Sequence, residues 1–147
     1  MTLVIIGNII ESQYVRDLTG RNYSGKVRFL GGVYDKIELN AIRYSCRAYI
    51  HGHSVGGTNP SLLEAMGSGN IIRAHDNVFN REVTAGLQFY FTDPLQFAEG
   101  IKTIESLEAN EASKYKDLNI SIIQNKYNWN NILSKYLVLF GELKISR

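Results

Sequence analysis

The residues best placed to do chemistry lie in one stretch, His51-Gly52-His53-Ser54-Val55-Gly56-Gly57-Thr58-Asn59-Pro60-Ser61-Leu62-Leu63-Glu64-Ala65-Met66-Gly67-Ser68-Gly69. It reads as a strand exit, a glycine turn and a short helix. Asn59 is placed to accept a first-turn amide as N-cap, and Pro60 fixes φ at the next position, where no amide donor is needed. A competing reading makes Ser61 and Glu64 a capping box and moves the helix boundary by two residues. Either way, unpaired N–H groups and the helix dipole favour negative charge at the turn, and Gly56 and Gly57 let a guest approach the backbone. A phosphate is the obvious guest. A βα turn capped only for stability accounts for the same residues, and a glutamate in the first helical turn, as Glu64 is read here, also suits the dipole without a ligand.

Other polar groups fall near this stretch. His51 and His53 alternate along an extended segment and so share a face, and His75 falls on the same sheet edge. No acidic or cysteine residue is spaced to complete a ligand set, so no metal is expected. Arg81 either adds positive charge near a phosphate or pairs with its neighbour Glu82. Cys46 is the single cysteine. It reads as a core thiol and suits a reducing cytoplasm.

The elements that must position these groups follow from apolar runs and their punctuation. Strands are expected at residues 3–6, 27–30, 48–50, 71–72 and 88–91. Between them a helix is expected at 11–18, ending at Gly20, and another after the cap Asp35, with Glu38 at the capping-box position. In that second helix Ile37, Ala41, Ile42 and Cys46 are spaced for one buried face. Gly67 and Gly69 stop the helix that Pro60 starts, and residues 75–86 read as a polar loop with a helical turn around 80–83. Asp93-Pro94 opens a helix carrying Phe97, Ala98, Ile101 and Ile104 at helical spacing. After Asn110 the chain reads as helical to the end, broken near Tyr127-Asn128. Trp129, Ile132, Leu133, Tyr136, Leu137, Phe140 and Leu143 then form a wide apolar stripe, expected mostly to pack on the sheet. The alternative use of that stripe is docking on a second domain or, as a homodimer, on a second copy.

Strands alternating with helices indicate an α/β fold with a doubly wound parallel sheet, because parallel strands need crossover connections. Residues 1–109 are read as that domain and 110–147 as helices packing on it. In such sheets ligands bind beyond the carboxyl ends of the strands. The turns after Ile6, Leu30, Ile50, Ala74 and Phe91 therefore bring Gly7-Asn8, Gly31-Gly32-Val33-Tyr34, Gly56-Gly57-Thr58-Asn59 and Asn80-Arg81-Glu82 to one cleft.

Composition sets the limits. The 147 residues are 44% hydrophobic and 20% charged, which suits one globular domain with a real core. Sixteen basic against 14 acidic side chains is too even a balance to call for nucleic acid. Neither a membrane span nor a signal peptide is evident, which points to the cytoplasm. The first strand has no lead-in, as though an upstream part were absent.

On these residues the chain resembles the donor-binding C-terminal domain of the retaining GT-B glycosyltransferases of family four. It looks closest to the bacterial rhamnosyltransferase-like branch, in which Gly-Gly-Thr-Asn-Pro-Ser-Leu precedes Glu-Ala-Met, here Gly56 to Met66. The likeness runs from Leu3-Val4-Ile5-Ile6-Gly7 through Val27-Arg28-Phe29-Leu30-Gly31 and Asn80-Arg81-Glu82 to the tryptophan-containing helix. It implies a Rossmann-like half of a GT-B fold with a C-terminal helical extension. It also implies a nucleotide-diphosphate sugar as donor substrate, with no cofactor and no metal.

The resemblance assigns the donor diphosphate to Gly57, Thr58, Asn59, Pro60, Ser61 and Leu62, chiefly through the amides of residues 59–62, together with Arg81. It assigns the ribose to Glu64, the base to Gly31, Val33 and Tyr34, and the donor-sugar pocket to His53, Gly56 and Asn80. The family's sugar-contacting glutamate would fall on Gly56, so no catalytic residue is assigned. The implied reaction is transfer of a sugar with retained configuration, here in bacterial surface polysaccharide synthesis and of rhamnosyl type. The acceptor, a glycan or lipid-linked glycan, would be held by an N-terminal domain outside this chain, and the complete enzyme would sit at the inner membrane face. The family's diphosphate-neutralising Arg and Lys also precede the first residue here, so the chain alone is expected to bind weakly and transfer little. The rival reading is a noncatalytic or split-enzyme module that needs a partner chain. An unrelated nucleotide-binding protein is disfavoured, since the first turn lacks a G-x-G-x-x-G or P-loop signature.

Overall fold

Leu3–Ile6 (β1) and Val27–Gly31 (β2) pair in parallel, with Leu3 opposite Val27 and Ile5 opposite Phe29. This is seen in a computed structural model that describes residues 1–8, 12–21 and 23–145, with side chains through residue 142. The helix between the strands, Gln13–Thr19 (α1), starts where the Ser12 hydroxyl accepts the Val15 amide at 3.2 Å. Glu11, expected to begin this helix, lies outside the described residues. Ile5, Val15, Leu18 and Phe29 line an apolar hollow with Gly7, Asn8 and Thr19. These elements belong to the first of two compact units, Met1–Ile42, and the remainder form the second, Arg43–Arg147.

The boundary falls within Lys36–Ser45 (α2), which begins where Asp35 accepts the Glu38 amide at 2.8 Å. Its buried face is not the expected one. Ile37 is 82% exposed and Ala41 is exposed too, while Ile42 and Cys46 are half-buried and Arg43 is buried. Leu39, also half-buried, shares the Arg43 side of the helix with Ile42 and Cys46, and Ile37 lies on the opposite side.

In the second unit Ala48–His51 (β3), Ile71–His75 (β4) and Phe89–Phe91 (β5) form a parallel sheet in the order β3-β4-β5. The helices are Pro60–Gly67 (α3), Val78–Val83 (α4), Pro94–Ser106 (α5), Ala109–Lys126 (α6) and Trp129–Ile145 (α7). Successive side chains of a strand point to opposite faces, so central β4 feeds two cores. Ile72 and Ala74 pack with Leu62, Ala65, Met66 and Val83, and Ile122, Ile123 and Tyr127 lie against them. Ile71 packs on the other face with Ile104 and Ala112, flanked by Phe89 and Tyr115. Each fully buried aliphatic side chain contributes roughly 1.5–3 kcal/mol by leaving water.

Arg73 shares the Ile71 face and is buried, donating to the carbonyls of Tyr90 and Gln96. On the same side of the molecule Arg47 holds the end of α5, donating to the Ile104 carbonyl at 2.9 Å and the Leu107 carbonyl at 2.6 Å. A guanidinium there satisfies carbonyls left open by the helix terminus and suits the negative end of its dipole.

Two further expectations are corrected. The helical turn expected near residues 80–83 is a longer helix, because Asn77 caps it by accepting the Asn80 amide at 2.8 Å. The apolar stripe after Trp129 does not pack on the sheet: Trp129 is 76% exposed, and Leu133, Tyr136, Leu137 and Phe140 are exposed as well. The Leu143 side chain lies outside the described ones. Among the described residues it is α6 that covers the core. No helix of the described residues is long and apolar enough to cross a membrane.

Candidate functional site

β3 ends at buried His51, and residues 52–58 run exposed to the start of α3. This loop is fastened to α4 at one point. The Nδ2 groups of Asn77 and Asn80 donate to the His53 carbonyl at 3.0 and 3.1 Å. At the far end Asn59 is the cap, its Oδ1 accepting the Ser61 amide at 3.0 Å and the Ser61 hydroxyl at 2.7 Å. Tyr49 of β3 donates to that same hydroxyl at 3.1 Å and ties the cap to the sheet. The Ser61–Glu64 capping box is therefore not formed. Glu64 also lies beyond the first turn of α3, where the helix dipole has little hold on it.

The order of bonds at this cap decides which amides are open. Pro60 has no N–H, the Ser61 amide is taken by the Asn59 side chain, and the Leu62 amide donates to the Asn59 carbonyl at 3.1 Å. By contrast, among the described residues the amides of Gly56, Gly57, Thr58 and Asn59 have no partner within the chain. The open donors thus sit earlier than the 59–62 run named above. Gly56 holds φ at +119°, a conformation that side-chain-bearing residues rarely adopt. Consecutive free amides in such a turn are suited to an anion.

The charged residues are already partnered. Glu64 Oε2 lies 2.6 Å from Nη2 of Arg43, whose side chain is 10% exposed against 55% for Glu64. Arg81 pairs with Asp76 rather than with Glu82, through two contacts of which Nη2 to Oδ2 is 2.7 Å, and its guanidinium lies 4.3 Å from the centre of the Tyr90 ring. The hydrogen bond from Arg81 holds the Asp76 carboxyl below its ordinary range. Glu82 faces Lys126 at 3.7 Å.

Asn80 is buried, and its amide donates to the carbonyls of His53 and His75, so it braces the loop from beneath. His53 is exposed and stacks on buried His51 with ring centres 4.7 Å apart. Burial first, and then the neighbouring His53, push the His51 imidazole down to about 4. His51 and His75 each bury an Nδ1 without a hydrogen-bond partner in the described structure. Among the described residues no group of three His, Cys, Asp or Glu side chains is placed to hold a metal ion.

In the first unit, Gly31 closes β2 with φ at +73°, Val33 is half-buried, and exposed Tyr34 donates its hydroxyl to the Asn8 side chain.

Sequence reasoning missed Arg43, Asp76 and the buried pair Asn70 and Asn119. The Asn70 amide donates to the Arg43 carbonyl at 2.6 Å, and the Asn119 amide donates to the Asn70 carbonyl at 2.7 Å. The only signal was indirect: Arg43 interrupts an otherwise apolar helix face, and Asn70 adjoins an apolar strand.

No protein-family model and no curated protein matches the chain. Among solved structures it is similar to AviGT4, a glycosyltransferase involved in Avilamycin A biosynthesis, with a TM-score of 0.56 at 18% identity. The similarity covers 84% of this chain and 40% of that one, so this chain spans less than half the length of that protein. At this identity the likeness shows the fold. It is an α/β arrangement of parallel sheets and helices, of the kind found in part of a glycosyltransferase.

Proposed function

We propose that the chain is the sugar-nucleotide-binding part of a retaining, family-four-type glycosyltransferase. The observation that carries this reading is the run of open amides from Gly56 to Asn59, held by the Asn59 cap at one end and by the His53 carbonyl clamp at the other. These amides and the start of α3 would receive the diphosphate, with Glu64 on the ribose hydroxyls and His53, Gly56 and the braced Asn80 toward the sugar. Charge builds on the leaving diphosphate as the glycosidic bond breaks. Amides already aligned stabilise it without reorganisation, by about 3 kcal/mol per donor in comparable sites. The pairing of Arg81 with Asp76 leaves the turn, not that side chain, as the main partner of the phosphates.

Acceptor binding falls to a further domain or partner chain, and transfer of rhamnosyl type in surface polysaccharide synthesis, in the cytoplasm, is the activity proposed for the complete assembly. The 109/110 division belongs to the same proposal, with α6 as the helix that seals the binding domain. A second reading, a module that binds nucleotide sugar without transferring it, draws on Gly56 standing where a carboxylate toward the sugar would be needed.

The test is a titration of the chain with nucleoside diphosphates and with inorganic pyrophosphate, followed by amide NMR. Shifts are expected at Gly56, Gly57, Thr58 and Asn59. A Cβ added at Gly57 meets nothing within 4 Å, so Gly57→Ala has room in the fold while its methyl group stands where a phosphate would approach. It is expected to weaken binding by about tenfold or more, the equivalent of one lost charge-assisted contact. No response of these four amides at millimolar ligand would defeat the reading.

A further inference from the structure

Glu64 is the one carboxylate that the proposed function places against a ligand, and a carboxylate beside a diphosphate meets like charge. Something must aim the side chain against that repulsion. The only cation the structure pairs with Glu64 among the described residues comes from the last turn of α2, far away in sequence. Arg43 holds Oε2 at 2.6 Å, with its own side chain nearly buried and the carboxylate still half open. Burying a guanidinium to pair with an exposed carboxylate is poor design for stability alone, because desolvation of the cation offsets most of the Coulombic gain. It is good design for fixing one carboxylate orientation, since the planar fork of arginine permits few arrangements.

The backbone that carries Arg43 is itself fixed. Its carbonyl accepts the Cys46 amide at 3.1 Å and the Asn70 side chain at 2.6 Å. Asn70 also donates to the Cys46 carbonyl at 3.3 Å, and the Asn70 carbonyl is closed by Asn119 of α6 at 2.7 Å. Asn70 and Asn119 are both buried. A chain of polar contacts thus runs from α6 through the α3–β4 turn to the end of α2 and out to Glu64.

We infer that Arg43 is a positioning residue for donor recognition: buried and anchored through Asn70 and Asn119, it aims Glu64 at the ribose hydroxyls. This rests on the reading of Glu64 as the ribose contact. The experiment compares, on the full chain, the affinity for a nucleoside diphosphate with that for its 2′,3′-dideoxy analogue and for inorganic pyrophosphate. The wild-type chain is expected to prefer the hydroxyl-bearing form by about tenfold. Glu64→Gln is expected to lose most of that preference.

Arg43→Gln is expected to lose it too, to within about twofold, while pyrophosphate affinity stays within about twofold of wild type. A merely structural arginine would move all three affinities together or none. If Glu64→Gln loses the preference and Arg43→Gln keeps it, the positioning role is overturned and the ribose reading stands. If the wild-type chain shows no preference, the ribose reading falls and this inference falls with it. Should Arg43→Gln fail to fold, Arg43→Lys carries the test. A point charge without the fork is expected to keep less than half of the preference, and full retention overturns the inference.

Discussion

Gly100→Ala is expected to lower the unfolding free energy of the chain by about 3–5 kcal/mol, although alanine is the better helix former by about 1 kcal/mol in an open helix. The sign is set by Arg73. A Cβ at position 100 of α5 would overlap Cζ of Arg73 and stand 2.5 Å from Nη2 and 2.6 Å from Nε. That guanidinium cannot swing into water, because it is buried beneath α5, donates to the carbonyls of Tyr90 and Gln96, and lies 5.3 Å from the centre of the Phe91 ring. Displacing it breaks two charge-assisted bonds of roughly 1.5–3 kcal/mol each and leaves a buried cation without acceptors.

Urea unfolding of Gly100→Ala, Arg73→Met and the double variant measures this directly. The double variant is expected to be at least ~2 kcal/mol more stable than the sum of the single effects, as for residues in direct contact. A Gly100→Ala chain as stable as the wild type would show that Arg73 has another place to go.

Between pH 6.5 and pH 4 the chain is expected to lose up to about 3 kcal/mol of stability through His51 alone. In the unfolded chain this imidazole takes up its proton near 6.5, whereas the folded protein, burying it beneath His53, holds it to about 4. Across that window the unfolded state binds the extra proton, so stability is complete above pH 6.5 and falls as the pH drops. Urea midpoints at pH 7, 5.5 and 4.5 give the slope. His51→Phe keeps a ring beside Tyr49, 6.1 Å away between centres, and is expected to flatten it. Parallel profiles for the two chains would exclude His51. Asp76 acts lower on the scale: its carboxyl is held below 3.8, so its contribution is present above 3.8 and is lost only as the pH falls through the depressed value.

The elements were legible wherever a local signal sets them. Asp35, Asn59-Pro60 and Asp93-Pro94 all cap the helices they were read to cap. The strands followed from short β-branched or aromatic runs. What escaped were contacts with no fixed spacing. Arg81 meets Asp76 because the β4–α4 turn folds back, and nothing in the order Asp76 to Glu82 favours one acid over the other. Arg43 meets Glu64 only once α2 and α3 are in place. The stripe on α7 misled because helical periodicity reports that a face is apolar without naming what covers it. At the turn itself the sequence located the Asn59 cap. It could not show which amides stay open, because that depends on Ser61 and Leu62 donating back to Asn59.

The placement of α6 bears on how short a piece of this chain can stand. Its first half supplies Ala112 and Tyr115 to the Ile71 side of the sheet, and its second half supplies Ile122, Ile123 and Tyr127 to the Leu62 side. A fragment cut at the 109/110 division would lose part of the cover on both cores at once, while one ending at Tyr127 keeps it and sheds only a helix whose described apolar side chains are mostly in water. Both cores of the second unit are therefore complete only through the end of α6.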